Sequence, residues 1–180
     1  RVGNEERAFE VWTGLLGDDP KDLAALDRMV TIDQRSGNAE RLLSTLTYRA
    51  DLESGPERAA TLRRMGDIAD AELRDLDRAA ELYARALELA PSDEALLDAL
   101  SSAYDRAERY KDLVVLLRDR ARRESEPASR AALYRRIART LHDRVQNDDG
   151  AAEAYQEVLA AGEDEEALSF LRDRARAAGD

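Results

Sequence analysis

The chain has 180 residues, of which 43% are hydrophobic and 37% charged, and its formal net charge is -11. The apolar content supports a folded core, and abundant Ala, Leu, Glu and Arg beside few β-branched residues favour helices. A strongly negative chain repels phosphate backbones, so no nucleic-acid binding is expected. No apolar run approaches the roughly 20 residues that span a bilayer, so no membrane span is expected either.

The sequence contains no cysteine, which excludes disulfides, thiolate metal sites and thiol catalysis but is compatible with any redox compartment. Its opening, "RVGNEERAF", lacks an initiator Met and is typical of the interior of a longer protein. We therefore expect an excerpt of a longer array, and we favour a cytoplasmic location while a periplasmic one stays open. The excess of Arg over Lys is typical of GC-rich genomes and favours a bacterial source.

One helical pattern recurs along the chain. The segment "ERAFEVWTGLLGDDP" (6–20) matches "DRAAELYARALELAP" (77–91) at an offset of 71 residues, and "GAAEAYQEVLAAGED" (150–164) continues the frame. Each segment pairs a small residue with an aromatic one four positions later: Ala8 and Trp12, Ala79 and Tyr83, Ala151 and Tyr155. Segments 39–56 and 110–127 fill the gaps and also lie 71 residues apart. One type of helix is therefore predicted five times.

A second amphipathic helix is predicted in each interval. These segments carry apolar residues at i, i+3 and i+7, the spacing of a helix with one buried face. They cover residues 21–37, 56–75, 92–109, 127–146 and 163–179. Turn signals such as "SGN", "APSD" and "NDDG" separate the helices, and connections this short place consecutive helices antiparallel. The sequence thus predicts about ten helices arranged in hairpins.

A helical hairpin of about 34 residues resembles the tetratricopeptide repeat (TPR). The best match is the unit at 59–91, with Leu62, Met65, Gly66, Ala69, Ala79, Tyr83, Ala86 and Pro91. The unit at 94–125 supplies Leu97, Leu100, Ser101, Tyr104, Tyr110, Leu113 and Leu117. The resemblance implies an all-α fold, an α-solenoid of antiparallel helix pairs in a right-handed superhelix. Half-a-TPR and pentatricopeptide arrays are the alternatives.

The repeat frame departs from the family pattern in two ways. Leu42 and Leu113 replace the usual small residue, and the spacing alternates between about 34 and 37–38 residues. The wider spacing predicts a longer first helix or turn in the units at 57–91 and 128–162.

The frame defines one repeat domain over residues 1–180. We expect a half repeat at 4–20, full repeats at 21–55, 56–91, 92–126 and 127–162, and a half repeat at 163–180. Arrays of this kind need polar capping helices at their ends. We therefore expect partly uncovered apolar faces around Trp12 and around Leu168 and Leu171, and end-to-end self-association through them.

The sequence shows no arrangement typical of catalysis. The one histidine, His142, has no metal-binding side chain at helical spacing, and "NDDG" (147–150) fits a turn with a helix N-cap better than a calcium loop. Neither a phosphate-binding nor a dinucleotide-binding glycine motif occurs. We expect a protein that is not an enzyme, with no catalytic residues, metal or cofactor.

The family resemblance implies a scaffold that holds a protein or peptide in a concave groove lined by the first helices of the hairpins. The alternative is a regulatory or sensory segment that serves an attached catalytic or DNA-binding domain. Helical spacing predicts the groove residues: Asp27, Thr31, Gln34, Arg63, Asp67, Asp70, Asp98, Ser102, Asp105, Arg135, Arg139 and His142. A solvated face without a dedicated ligand is an equal alternative for them.

The predicted groove has an acidic middle and a basic portion at Arg135, Arg136 and Arg139. The basic portion would suit an acidic peptide, because Arg pairs with carboxylates through two hydrogen bonds. A chaperone-type carboxylate clamp is not expected, because it needs Lys and Asn where this chain has Thr31, Asp67, Ser102 and Arg139.

Overall fold

The structure is a computed structural model that describes residues 7, 10–14, 16–17, 19 and 21–179. Within residues 21–179 it contains nine α-helices, and the described residues 7, 10–14 and 16–17 are helical too. The helices are α1 (Leu23–Ser36), α2 (Ala39–Leu52), α3 (Gly55–Ile68), α4 (Leu76–Leu89), α5 (Glu94–Arg106), α6 (Tyr110–Arg123), α7 (Pro127–Asp143), α8 (Asp148–Ala161) and α9 (Glu165–Ala178). The predicted all-α fold is confirmed for the described part of the chain.

Polar side chains fix where most of the helices begin. The first helices of alternate hairpins start after Asp22, Asp93 and Asp164, which lie 71 residues apart and accept hydrogen bonds from backbone N–H groups of the first turn. Such caps satisfy donors that a helix leaves unpaired at its N-terminus. Asn147 caps α8 in the same way through the backbone N–H of Gly150, at 3.0 Å. The segment "NDDG" is therefore a helix start, as predicted.

The predicted difference between long and short hairpins has a structural origin. Helix α3 continues into a π-helical turn, Ala69–Leu73, and α7 is 17 residues long, whereas α1 and α9 have 14 residues and α5 has 13. The extra turn at the end of α3 or α7 accounts for the 37–38-residue spacing. Left-handed residues then end both extensions, Arg74 and Gln146.

The chain divides into two compact units, the first ending at Ala103 and the second beginning at Tyr104. In the first unit α1 packs on α2, α2 on α3 and α3 on α4. In the second, α6 packs on α7, α7 on α8 and α8 on α9. Within each unit these helices therefore contact the helices next to them along the chain, as expected for a repeat protein. The assignment of all 180 residues to one domain stays a prediction.

The small and aromatic positions of the repeat belong to the core of each unit. Ala79 and Tyr83 are buried in the first unit, and Ala151 and Tyr155 are buried in the second. Trp12 is half-buried, and its partner Ala8 lies outside the described residues. The packing role predicted for Tyr83 and Tyr155 is thus confirmed, and it excludes them as exposed stacking surfaces for a ligand.

Candidate binding face of the first helices

The predicted groove residues all lie on the first helices of the hairpins or on their extensions. In the first unit Asp27, Thr31 and Gln34 lie on α1, Arg63 and Asp67 on α3, Asp70 on the π turn, and Asp98 and Ser102 on α5. In the second unit Asp105 lies on α5, and Arg135, Arg139 and His142 lie on α7. A groove that runs through both units stays a prediction, and each unit is described by itself.

The α1 part of the face consists of exposed polar side chains. Thr31 and Gln34 are exposed, and the Thr31 hydroxyl donates to the backbone oxygen of Asp27 at 2.8 Å. Asp27 forms an ion pair with Arg49 on α2, so it also joins the two helices of the hairpin. Of the three candidate residues on α1, Thr31 and Gln34 are therefore the exposed ones that no ion pair holds.

A buried carboxylate that sequence reasoning missed lies on the opposite side of α1. Asp33 is fully buried, where it accepts a hydrogen bond from the Thr45 hydroxyl at 2.8 Å and forms an ion pair with Arg41. Buried charges persist when they are paired and hydrogen-bonded, and these contacts fix α2 against α1. The sequence feature that could have predicted this buried carboxylate is an acidic residue at an apolar position of the helical stripe formed by Leu26 and Val30.

The α3 part of the face is anchored by a tyrosine of the second helix. The Tyr83 hydroxyl donates to Asp67 at 2.8 Å, and burial together with the charge of Asp67 raises the pKa of Tyr83. The ring fits because position 66 is glycine: a Cβ atom there would lie 2.5 Å from Tyr83 Cε1. Asp67 is therefore exposed but already engaged. Arg63 lies 3.8 Å from the carboxylate of Asp93.

The α5 part of the face is open. Asp98 and Ser102 are exposed in the first unit, and Asp105 is exposed in the second. Ser101, which neighbours them, points the other way and is buried, and its hydroxyl oxygen is the one buried side-chain polar atom in the described residues without a hydrogen-bond partner. Sequence reasoning treated Ser101 only as part of the repeat pattern.

The basic portion predicted on α7 is paired with carboxylates at the start of α9. Arg135 Nε lies 3.1 Å from an oxygen of Asp164, which also caps α9. Arg139 forms two hydrogen bonds to Glu166, one of them 2.7 Å from Nε to Oε1. The Tyr155 hydroxyl donates to the same carboxylate at 2.7 Å. Arg135 and Arg139 thus join α7 to α9. Arg136, the third arginine of the predicted basic portion, is exposed and makes no such contact.

These contacts change the acidity of the groups that make them. The hydrogen bonds from Arg139, then those from Tyr155, lower the pKa of Glu166 to about 2 despite its partial burial. The backbone N–H of Ala167, then Arg135, lowers the pKa of Asp164. Burial, then the hydrogen bond to Glu166, raises the pKa of Tyr155. Hydrogen bonding to the charged form is the common cause for both carboxylates.

The single histidine lies beside this network. His142 Nδ1 is 2.6 Å from an oxygen of Asp148, and its ring meets the edge of Phe170 at a centroid distance of 5.1 Å. No cluster of three or more His, Asp or Glu side chains in the described residues is arranged to hold a metal ion. None of the described helices combines the length and the apolar character that crossing a membrane requires.

Comparison with known proteins identifies the fold. No protein-family model and no curated protein sequence matches the chain. Among solved structures, YrrB, described as a TPR protein with an unusual peptide-binding site, matches at 12% identity and a TM-score of 0.50, over 97% of this chain and 85% of YrrB. MamA matches at 14% identity and a TM-score of 0.49, over 97% of this chain and 93% of MamA. The likeness to YrrB and the helical hairpins of the structure show that the chain has a TPR-like fold, an all-α solenoid.

Proposed function

We propose that this protein is a non-catalytic scaffold that binds a peptide or an extended partner segment along the exposed polar face of its first helices. The observation that carries the proposal is that the residues that pack the helices together differ from the residues that stay exposed on the first helices. Buried small, apolar and aromatic residues hold the helices together, while Thr31, Gln34, Asp98 and Ser102 stay exposed on α1 and α5. The peptide-binding site described for the similar protein YrrB supports this use of the fold.

The charge of the face favours a basic ligand in the first unit. Its candidate side chains include the carboxylates of Asp27, Asp67, Asp70 and Asp98, against two guanidinium groups, that of Arg63 and that of Arg49, which pairs with Asp27. An excess of one sign attracts segments of the opposite sign and speeds their association. In the second unit an acidic peptide would compete with Asp164 and Glu166 for Arg135 and Arg139. A basic segment bound in the first unit is therefore the more favourable arrangement.

A random-peptide display library, selected on the immobilised 180-residue chain, tests the proposal. The blocking variant carries Thr31→Arg and Ser102→Arg, which add bulk and positive charge to the proposed face. The matched control carries Ser44→Arg and Thr47→Arg on α2: both residues are exposed, and, like Thr31, both donate to the backbone oxygen four residues earlier.

We expect selection to enrich Lys- and Arg-rich peptides that bind the unmodified chain. Their affinity is expected to fall at least about ten-fold on the blocking variant and to stay within about two-fold on the control, because only the first pair changes the proposed face. Equal affinity for both variants, or no enrichment of any peptide, would contradict the proposal. Circular dichroism of both variants checks that the fold is retained.

A further inference from the structure

The second unit contains a small recess whose lining includes none of the candidate binding residues described above. Its volume is about 180 Å³, and α6, α7 and α8 each contribute side chains to it. The residues that line it are Arg118, Arg122, Tyr134, Glu153, Ala154 and Glu157. Sites for drug-sized molecules enclose roughly 300–1,000 Å³, so a recess of this size suits a more compact ligand.

The recess lies where the second unit departs from the repeat at two packing positions. Tyr134 and Ala154 match Leu62 and Leu82, at the 72-residue offset that also relates the buried tyrosines of the two units. Leu62 and Leu82 are buried. Alanine is shorter than leucine, so space that a leucine side chain fills in the first unit stays open beside Ala154. Tyr134 is partly exposed, and its hydroxyl forms no hydrogen bond with any residue that the structure describes.

Opposite charges line the two walls of the recess. Arg118 and Arg122 lie about one helical turn apart on α6, and two glutamates have the same spacing on α8, Glu153 and Glu157. Like charges at this spacing repel each other, so each wall favours a counter-charge. Arg122 pairs with Asp119 on its own helix. Within the described part of the chain, no ion pair forms at Arg118, Glu153 or Glu157.

We propose that this recess binds a free α-amino acid with a small side chain. The carboxylate of the ligand pairs with the guanidinium of Arg118 and accepts a hydrogen bond from the Tyr134 hydroxyl. Its ammonium group donates to the carboxylates of Glu153 and Glu157, and its side chain fills the space beside Ala154.

The charge of the lining selects this class of ligand. The glutamates repel a simple anion and the arginines repel a simple cation, so the best complement is a compact molecule that carries both charges. The site goes beyond the proposed scaffold function, because none of its residues belongs to the binding face of the first helices.

Titration of the nitrogen-15-labelled 180-residue chain with L-alanine, followed by two-dimensional NMR, tests the site. We expect saturable chemical-shift changes confined to α6, α7 and α8, and weaker binding of acetate and of methylammonium, because each carries only one of the two charges. R118Q and E153Q are each expected to raise the dissociation constant about three- to ten-fold, because each removes one charged partner of the ligand. E81Q makes the same change as E153Q at the matching exposed position of the first unit and is expected to leave the dissociation constant within about two-fold.

A variant that fills the recess provides a second test. Y134L/A154L introduces the leucine pair that is buried in the first unit, so we expect the fold to be retained, with circular dichroism as the check. This variant is expected to show no saturable change at the L-alanine concentrations that saturate the unmodified chain.

Four results would overturn the proposal. They are the absence of saturable changes in the unmodified chain, equal affinity for acetate or methylammonium, unchanged affinity in both R118Q and E153Q, and retained binding in a folded Y134L/A154L variant. Peptide binding on the first helices does not involve these residues, so the scaffold proposal and the amino-acid site fail separately.

Discussion

At the scale of single residues, Gly66 determines how closely the first and second helices of its hairpin approach. A residue with a Cβ atom would collide with the Tyr83 ring at 2.5 Å. The second unit has Ala138 and Tyr155 at the matching positions, and there the tyrosine hydroxyl donates to Glu166 of α9. The residue matching Asp67 is Arg139, which has no acceptor, so Tyr155 needs a different partner.

Gly66→Ala separates helix propensity from packing. Helix propensity alone predicts that the free energy of unfolding rises by about 1 kcal/mol, because Ala is more favourable than Gly in the interior of a helix. We expect instead a loss of about 1–3 kcal/mol, since the Tyr83 ring must move away from its bond with Asp67. Urea unfolding followed by circular dichroism gives the sign, with Ala138→Gly as the control for a simple propensity effect. A more stable Gly66→Ala protein would contradict the packing argument.

Ser101 and Thr45 are two buried hydroxyl residues in opposite situations. The Ser101 hydroxyl has no partner, whereas the Thr45 hydroxyl donates to the buried carboxylate of Asp33. Ser101→Ala is therefore expected to be neutral or to stabilise the fold by up to about 1 kcal/mol. Thr45→Val keeps the shape but removes a hydrogen bond to a buried charge, so it is expected to cost about 1–3 kcal/mol. Thermal unfolding compares the two, and equal losses would refute the distinction.

At the scale of elements, the residue that ends each described first helix adopts the same left-handed backbone conformation. The terminating residues Gly37, Arg74, Glu108, Gln146 and Gly179 all have positive φ, between 56° and 88°. Glycine adopts this conformation without strain, whereas other residues do so at a cost of about 1–2 kcal/mol. The repeat thus fixes the conformation even where the sequence does not supply glycine.

Exchanging residues at these ends should change stability in opposite directions. Glu108→Gly is expected to stabilise the protein by up to about 1 kcal/mol, and Gly37→Ala to destabilise it by about 1 kcal/mol. The Gly37 site has open space around its Cβ position, so backbone strain alone is measured there. Chemical unfolding of both variants provides the test, and a stabilising Gly37→Ala would show that the turn relaxes.

The attachment of α9 to α7 should depend on pH through Glu166. Its pKa is about 2 in the folded chain against an ordinary value of 4.5. A lowered folded-state pKa means that the contribution to stability is complete above pH 4.5 and is lost as the pH falls towards 2. Glu166→Gln is expected to cost about 1 kcal/mol at pH 7, a modest value because Arg139 and Glu166 are both partly exposed.

The stability difference between the unmodified chain and Glu166→Gln should therefore shrink between pH 4.5 and pH 2. Urea titrations at several pH values measure it. Glu163→Gln, at an exposed residue of the loop before α9, makes the same change in charge and is expected to have little effect at any pH. A pH-independent difference would show that Glu166 acts by packing and not by charge.

At the scale of the whole molecule, the 71-residue period carries most of what could be predicted. It located the helices, the turns and the buried small–aromatic pairs, because each depends on residues close together in sequence. The ion pairs between hairpins were missed, since Arg135 and Asp164 lie 29 residues apart and meet only once the helices pack. The signal was present: Arg63 and Asp93 occupy matching positions and form the same pair at 3.8 Å.

A chain whose helices contact mainly their neighbours in sequence should not unfold in one concerted step. Stability in such arrays is approximately a sum of local repeat and interface contributions.

Trp12 is the only tryptophan and belongs to the first unit, so its fluorescence reports on that unit, whereas circular dichroism at 222 nm reports on all helices. Because these contributions are local, we expect the fluorescence transition in urea and the circular-dichroism transition to fall at different urea concentrations. The variant W12F/F170W moves the probe to α9 and the second unit, where the fluorescence transition should report the unfolding of α7–α9. Superimposable curves for both probes and for circular dichroism would show a single cooperative unit and contradict this expectation.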